Sequence, residues 1–125
     1  MKKLLFIFLL LGSMVSAKAQ NADSLFKAGK YDKAIEAWKT SYIDNKDFKT
    51  LRRVGFCYLN IEGGKPYAIT YFERALKVEP KDATTYYLLG LCYVDDDKNK
   101  AKSYFETATQ LGSEDAKQEL FKLQH

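Results

Sequence analysis

Few residues in this 125-residue chain have the types and spacing that chemistry requires. The one histidine, His125, is the last residue printed, and a chain end is a poor place to hold a catalytic group. Without a second imidazole, the nucleophile–base pairs of hydrolases and the usual zinc ligand sets lack their members. The run Gly63–Lys65 lacks the spacing of a phosphate-binding loop and is followed by Pro66 rather than Ser or Thr. The sequence therefore predicts no enzyme and no cofactor.

An acidic run, Asp95 to Asp97, is the remaining candidate set of ligands. Carboxylates bind Ca²⁺ in many secreted proteins, but this run lacks the central glycine and the distal glutamate of a calcium loop. A solvated turn explains three adjacent carboxylates more simply. We therefore expect the run to lie in a turn and predict no metal site.

The two cysteines, Cys57 and Cys92, stand 35 residues apart, each two positions after a glycine. This spacing places them at equivalent sites in two similar helices. Neighbouring helices lie about 8–10 Å apart, whereas a disulfide needs α-carbons within about 7 Å. Buried free thiols are therefore expected. An oxidising compartment would favour a bond, so the oxidation state stays open at this point.

Helical periodicity positions these residues. Between Ala68 and Tyr93, apolar residues recur on one helix face, Pro80 ends a first helix, and the carboxylate of Asp82 can cap the amides of the next. Ser113 can cap a last helix that runs to Leu123.

The sequence pattern of these helices repeats along the chain. Adding 35 to Asp47, Gly55, Cys57 and Tyr58 gives Asp82, Gly90, Cys92 and Tyr93, and three related second helices contain Ala34, Ala68 and Ala101.

These positions make residues 21–123 similar to tetratricopeptide-repeat (TPR) proteins. Gly55 and Gly90 match the family's small residue where the two helices of a unit cross. The last repeat, Ala101 to Leu120, also resembles Sel1-like repeats. The resemblance implies an all-α fold, an α-solenoid of about three TPR-like helix-turn-helix repeats with a C-terminal capping helix. The family's turn and second-helix signature is matched by Gly29, Tyr31, Ala34, Ile35 and Trp38.

Residues 1–19 have the pattern of a secretory signal peptide. Two lysines precede an apolar run over residues 4–11, and small residues stand where a signal peptidase reads, at Ala17 and Ala19. The run is shorter than the roughly 20 apolar residues of a membrane-spanning helix, although a retained anchor is the alternative. We expect a signal peptide over 1–19, a single repeat domain over 20–125, and an exported protein, periplasmic or secreted, without a stable membrane span.

The charge balance argues against a nucleic-acid partner. The whole chain carries +4, from 20 basic and 16 acidic residues, and three of the lysines lie within residues 1–19. The remaining 17 basic and 16 acidic residues are mixed along the sequence. A nucleic-acid-binding protein would show a clustered basic face, so none is expected to bind here.

By the resemblance, the first helices of successive repeats line a concave groove that binds an extended peptide or a helix of a partner. Lys49 and Arg52 could hold a carboxylate, while Phe56 and its neighbours offer apolar contact. Alternatively, the N-terminal segment or a second copy of the chain covers the apolar members. A chaperone-tail clamp is not predicted, because the carboxylate-clamp members of the family use asparagines with their basic residues, and here Phe56 occupies the groove position after Arg52. The predicted partner-binding groove comprises Lys49, Arg52, Phe56, Leu59, Asn60, Thr84, Tyr87, Leu91, Val94 and Asp95.

The sequence thus predicts an exported TPR protein that mediates protein–protein interaction by binding a partner peptide or helix in this groove. The alternative is a structural or assembly component that self-associates by end-to-end stacking of its repeats. A short first helix would expose a face near Leu25, Phe26 and Tyr42 that another copy could cover.

Overall fold

The computed structural model describes residues 21–40 and 47–125, and these ranges contain helices and no strands. The all-α fold is therefore confirmed. The signal peptide expected over 1–19 lies outside the described residues. No described helix is long and apolar enough to cross a membrane. The described residues fall into two compact units, 21–40 and 47–125. The helices are α1 (21–27), α2 (Tyr31–Thr40), α3 (Phe48–Leu59), α4 (Lys65–Val78), α5 (Ala83–Tyr93), α6 (Lys98–Gln110) and α7 (Glu114–Gln124).

The first unit contains α1 and α2, joined by a tight turn. Gly29 supplies the left-handed conformation of this turn, with a φ of 75° that other residues rarely adopt. The ring of Phe26 lies 5.8 Å from that of Trp38 and 6.2 Å from that of Tyr31. The two helices therefore share an aromatic contact. The sequence predicts that α2 continues to about Asn45, and the end of that range lies outside the described residues.

The second unit holds α3 to α7 in two layers. α3 packs on α4, α5 on α6, and α6 on α7, while α3 also touches α5, and α5 touches α7. The helices α3, α5 and α7 therefore lie side by side in one layer, with α4 and α6 in the other. This is the arrangement of helix-turn-helix repeats, in which each pair buries an apolar face against its neighbours.

The glycines at the helix crossings are required because aromatic rings fill the space that a side chain would need. A Cβ atom on Gly55 would lie 2.6 Å from Cε1 of Phe72, and one on Gly90 would lie even closer to the ring of Phe105. Both phenylalanines are fully buried. At the two positions that the TPR resemblance identifies as crossing points, a ring of the second helix therefore packs directly against the glycine of the first.

The capping helix α7 carries a phenylalanine at the equivalent place. Counting eight residues from the residue that precedes each helix gives Gly55 in α3, Gly90 in α5 and Phe121 in α7. The side chain of Phe121 is 64% exposed. An aromatic ring could not approach this position as Phe72 approaches α3. The side chain thus distinguishes α7 from the first helix of a complete repeat.

The helix starts follow the sequence signals with one exception. A carboxylate oxygen of Asp47 accepts a hydrogen bond from the Thr50 amide at 3.3 Å, and Oγ of Ser113 accepts one from the Ala116 amide at 3.1 Å. Asp82 occupies the N-cap position of α5, but its carboxylate accepts no bond from the helix amides. The expectation that Asp82 caps through its side chain is therefore wrong, and a different partner holds that carboxylate.

The repeat tyrosines Tyr58 and Tyr93 belong to the helix packing. The Tyr58 ring stacks on that of Tyr71 in α4, with centroids 5.6 Å apart. The Tyr93 ring stacks on that of Tyr104 in α6, with centroids 5.7 Å apart. Each ring thus packs the C-terminal end of the first helix of a pair against the second helix, which agrees with a structural role.

Cys57 and Cys92 are buried free thiols, as expected from their spacing. Cys92 lies in an apolar cluster with Phe72 and Leu89. Burial in these surroundings raises the pKa of Cys57 to about 12 and that of Cys92 to about 11. Both thiols are therefore held in the neutral form well above the pH at which a free cysteine ionises.

We expect these thiols to make the fold sensitive to alkali. Their pKa values are raised in the folded state, so the unfolded chain loses these protons first as the pH rises above about 9. The stability that they contribute is complete below that pH and is lost as the pH climbs towards 11 and 12. At pH 10 the loss should be about 3 kcal/mol for the pair.

Urea unfolding of the wild type and of a Cys57→Ala, Cys92→Ala double variant, measured between pH 7 and pH 10.5, tests this expectation. The tyrosines are common to both proteins, so the difference between the two pH profiles reports the thiols. Parallel profiles would show that the thiols ionise normally in the folded protein.

Candidate partner-binding groove

The candidate groove is the surface of α3, α5 and α7, which we call the groove face. Counting from Asp47, Asp82 and Ser113 places equivalent side chains in rows across the three helices. The set predicted from sequence lacks the α7 members, although counting from Ser113 identifies them. The rows are Lys49, Thr84 and Asp115 at the second position, Arg52, Tyr87 and Gln118 at the fifth, and Phe56, Leu91 and Lys122 at the ninth.

Apolar side chains form the floor of the groove face. Phe56, Tyr87 and Leu91 are each half-buried. All three pack against the buried cluster that contains Phe72, and Tyr87 and Leu91 also pack against the cluster that contains Phe105. Core contacts thus hold one side of each residue, while part of its surface stays accessible. Two further predicted members, Leu59 and Val94, are also half-buried and lie at the C-terminal ends of α3 and α5.

Arg52 is engaged within the protein. Its Nη1 donates a hydrogen bond to Oδ2 of Asp82 at 2.8 Å, and the two side chains are only 24% and 15% exposed. The hydroxyl of Thr85 donates to the same carboxylate oxygen. This cluster links α3 to the start of α5 and explains why Asp82 does not cap the helix amides. The guanidinium of Arg52 therefore already pairs with a carboxylate of the same chain. Its contact with a bound protein stays a prediction.

The remaining predicted polar members differ in their use. Lys49 and Thr84 are exposed on the groove face, and Asp95 is exposed just beyond α5. The side-chain amide of Asn60 donates to the carbonyl of Phe56 at 2.8 Å. Asn60 therefore closes the end of its own helix, whereas Lys49 and Thr84 present their side chains to solvent.

The α7 side of the groove face is acidic near Tyr87. Burial raises the pKa of Tyr87, and the carboxylates of Asp115 and Glu119 raise it further, while Lys122 acts in the opposite direction. Lys122 also forms an ion pair with Glu119 at 3.2 Å. Asp115, which is exposed, therefore adds a negative charge to the groove face beside an aromatic ring.

The acidic run beyond α5 lies in the turn to α6, as expected. Asp96 pairs with Lys65 at 3.3 Å, and a carboxylate oxygen of Asp97 accepts the amide hydrogen of Lys100 at 3.1 Å to cap α6. Across the part of the chain that the structure describes, no three His, Cys, Asp or Glu side chains are grouped so that they could hold a metal ion. Two of the three carboxylates in the run thus have structural partners.

Neither a family model nor a curated protein matches this sequence. Solved structures do match. The first TPR domain of Spaghetti (RPAP3), bound to an HSP90 peptide, superposes with a TM-score of 0.75 and 20% identity, covering 88% of this chain and 90% of that one. The second TPR domain of human RPAP3, in complex with an HSP70 peptide, has a TM-score of 0.75 and 24% identity, covering 90% and 98%.

A bacterial chaperone has the same architecture. The type III secretion chaperone SycD of Yersinia enterocolitica, in complex with a peptide of the translocator YopD, matches with a TM-score of 0.76 and 15% identity, covering 90% of this chain and 93% of that one. Identities this low establish the fold alone. The repeat spacing, the glycine–phenylalanine crossings and these superpositions agree. The protein therefore has the fold of tetratricopeptide-repeat domains.

Proposed function

We propose that the protein acts by binding, without catalysis, and that it holds an extended segment or a helix of another protein on the groove face. The observation that carries this proposal is the apolar floor. Phe56 and Leu91 occupy equivalent positions on adjacent helices, keep part of their surface accessible, and are each followed one turn later by an exposed polar residue, Asn60 and Asp95. Accessible apolar surface with a charged rim is typical of a binding site.

Structurally similar proteins support this proposal. The RPAP3 domains were solved with chaperone peptides and SycD with a translocator peptide, so the fold serves peptide binding in those proteins. On this chain, burial of the floor residues would supply most of the affinity, and the exposed charges would set the orientation of the partner.

Replacing Thr84 with arginine should block partner binding. Thr84 is exposed in the middle of the second-position row, between Lys49 and Asp115 and one turn before Tyr87, so a long charged side chain there would cover that row and reach over the Tyr87 ring. We expect at least about a tenfold loss of affinity, as for the loss of a central contact in an interface. A crosslinked pull-down with the purified protein would identify the partner, and titration with that partner would measure the affinity.

Thr70→Arg is the matched control, because Thr70 is an exposed helical threonine on α4, in the other layer. It should bind as the wild type does. If Thr84→Arg captures the same partner with the same affinity, the groove face is not the binding site. If the wild type and both variants capture only copies of this chain, the alternative of self-association gains support.

We also propose that the protein is exported, to the periplasm or beyond the cell. Residues 1–19 support this proposal with two lysines, a short apolar run and alanines at the positions that a signal peptidase reads. Protein recovered from the cell envelope should therefore begin at Gln20. N-terminal sequencing tests this expectation, and recovery of the intact N-terminus would favour a retained anchor.

A further inference from the structure

The charges on the groove face do not cancel evenly along it. The charge of Arg52 is matched by Asp82 at 2.8 Å, and that of Lys122 by Glu119 at 3.2 Å. In the second-position row, Lys49 on α3 is an exposed cation. Thr84 in the middle of that row is uncharged, and Asp115 on α7 is its exposed anion. The row is therefore positive at one end and negative at the other.

We propose that the groove face binds an extended segment with an acidic group over α3 and a lysine or arginine over α7, and that these two charges set its direction. The inference rests on the proposed function and specifies the chemistry of the partner. Charge complementarity carries it: the reverse orientation would place like charges together at both ends, which is costly at an interface.

The α7 end is suited to a basic side chain for a second reason. The ring of Tyr87, half-buried on α5, lies near the carboxylates of Asp115 and Glu119. An aromatic face beside carboxylates attracts the ammonium or guanidinium of a long side chain, whose methylene groups can cover the ring. At the α3 end the exposed cation is one lysine, since Arg52 is engaged, so a single acidic group is the expected ligand there.

The spacing of the two charges in the partner follows from the geometry of the layer. Packed helices lie about 8–10 Å apart, so two steps from α3 to α7 span roughly 16–20 Å. An extended chain advances about 3.3 Å per residue, which places the acidic and basic residues about five or six positions apart. Between these two charges the segment would cross Thr84, next to the ring of Tyr87 one turn further along α5.

A displayed library of random 12-residue peptides, selected against the purified protein, tests this inference directly. The selected peptides should carry one acidic and one basic residue at the expected spacing, in one order. An individual selected peptide should bind Asp115→Lys about tenfold more weakly than the wild type. Selection against Asp115→Lys should then enrich peptides with an acidic residue in place of the basic one.

Glu114→Lys is the matched control. Glu114 is the neighbouring exposed carboxylate in the first turn of α7, so its reversal costs the same favourable interaction with the helix dipole. It should alter peptide binding less than twofold. Equal weakening by both variants, or selected peptides without a charge order, would overturn the polarity while leaving peptide binding intact. Selected peptides that bind Thr84→Arg as tightly as the wild type would instead overturn the proposed function.

Discussion

Replacing Phe105 with alanine should lower the free energy of unfolding by about 3–5 kcal/mol, the range for removing a buried phenylalanine. The ring is fully buried and fills the place where Gly90 has no side chain. It also packs among Ala101, Ala108 and Ala116, which are too small to close the space that it would leave. The cavity would therefore stay open between α5 and α6. Urea unfolding at neutral pH measures the loss.

Phe121→Ala makes the same chemical change on an exposed ring and serves as the control. Because Phe121 is 64% exposed, we expect its replacement to change the free energy of unfolding by less than about 0.5 kcal/mol. Comparable losses from the two variants would mean that the buried ring of Phe105 stabilises the fold no more than the exposed ring of Phe121. The packing of Phe105 on Gly90 would then not be the source of stability.

Arg52→Glu should destabilise the fold by about 2 kcal/mol, between the values typical of exposed and of buried ion pairs. The change removes the donor to Asp82 and places a second carboxylate beside it in a partly buried site. It also removes the guanidinium, which lies 5.8 Å from the centre of the Phe48 ring. Thermal and urea unfolding should show the loss at neutral pH.

Lys49→Glu reverses the same charge three residues earlier on the same helix, at an exposed position. Its effect on stability should stay within about 0.5 kcal/mol. If the two reversals cost the same, the contact between Arg52 and Asp82 adds nothing to the fold. A loss of partner binding in Arg52→Glu could arise from the weakened fold, so Thr84→Arg is the better probe of the groove face.

The sequence predicts the fold well because its strongest signals are local and repeated. Gly90 and Phe105 belong to a pattern that recurs in the preceding pair as Gly55 and Phe72, and the same backbone geometry must solve the same packing problem twice. Sequence reasoning fails at Asp82, where the capping rule considers only adjacent amides. Arg52, 30 residues earlier, competes for the carboxylate, and spacing within one helix does not reveal such a contact.

The sequence predicts only part of the groove face, for a related reason. Repeat spacing predicts the groove residues on α3 and α5. Because α7 is predicted only as a capping helix, none of its residues is included. The proximity of Asp115 and Glu119 to Tyr87 depends on how α7 lies beside α5, which the short turn after α6 determines. The opposite charges at the two ends of a row become visible only when the three helices are placed side by side.

The phenylalanine on α7 also bears on how such a protein can change in length over evolution. Repeat arrays grow by tandem duplication of a helix pair. A new pair inserted before α7 would keep every glycine–phenylalanine crossing intact and leave Phe121 at the end. A pair added directly after α7 would have to dock on that ring, and its own aromatic residue would find no space there. We therefore expect longer and shorter relatives to differ by internal pairs and to share a bulky residue at this place in the last helix.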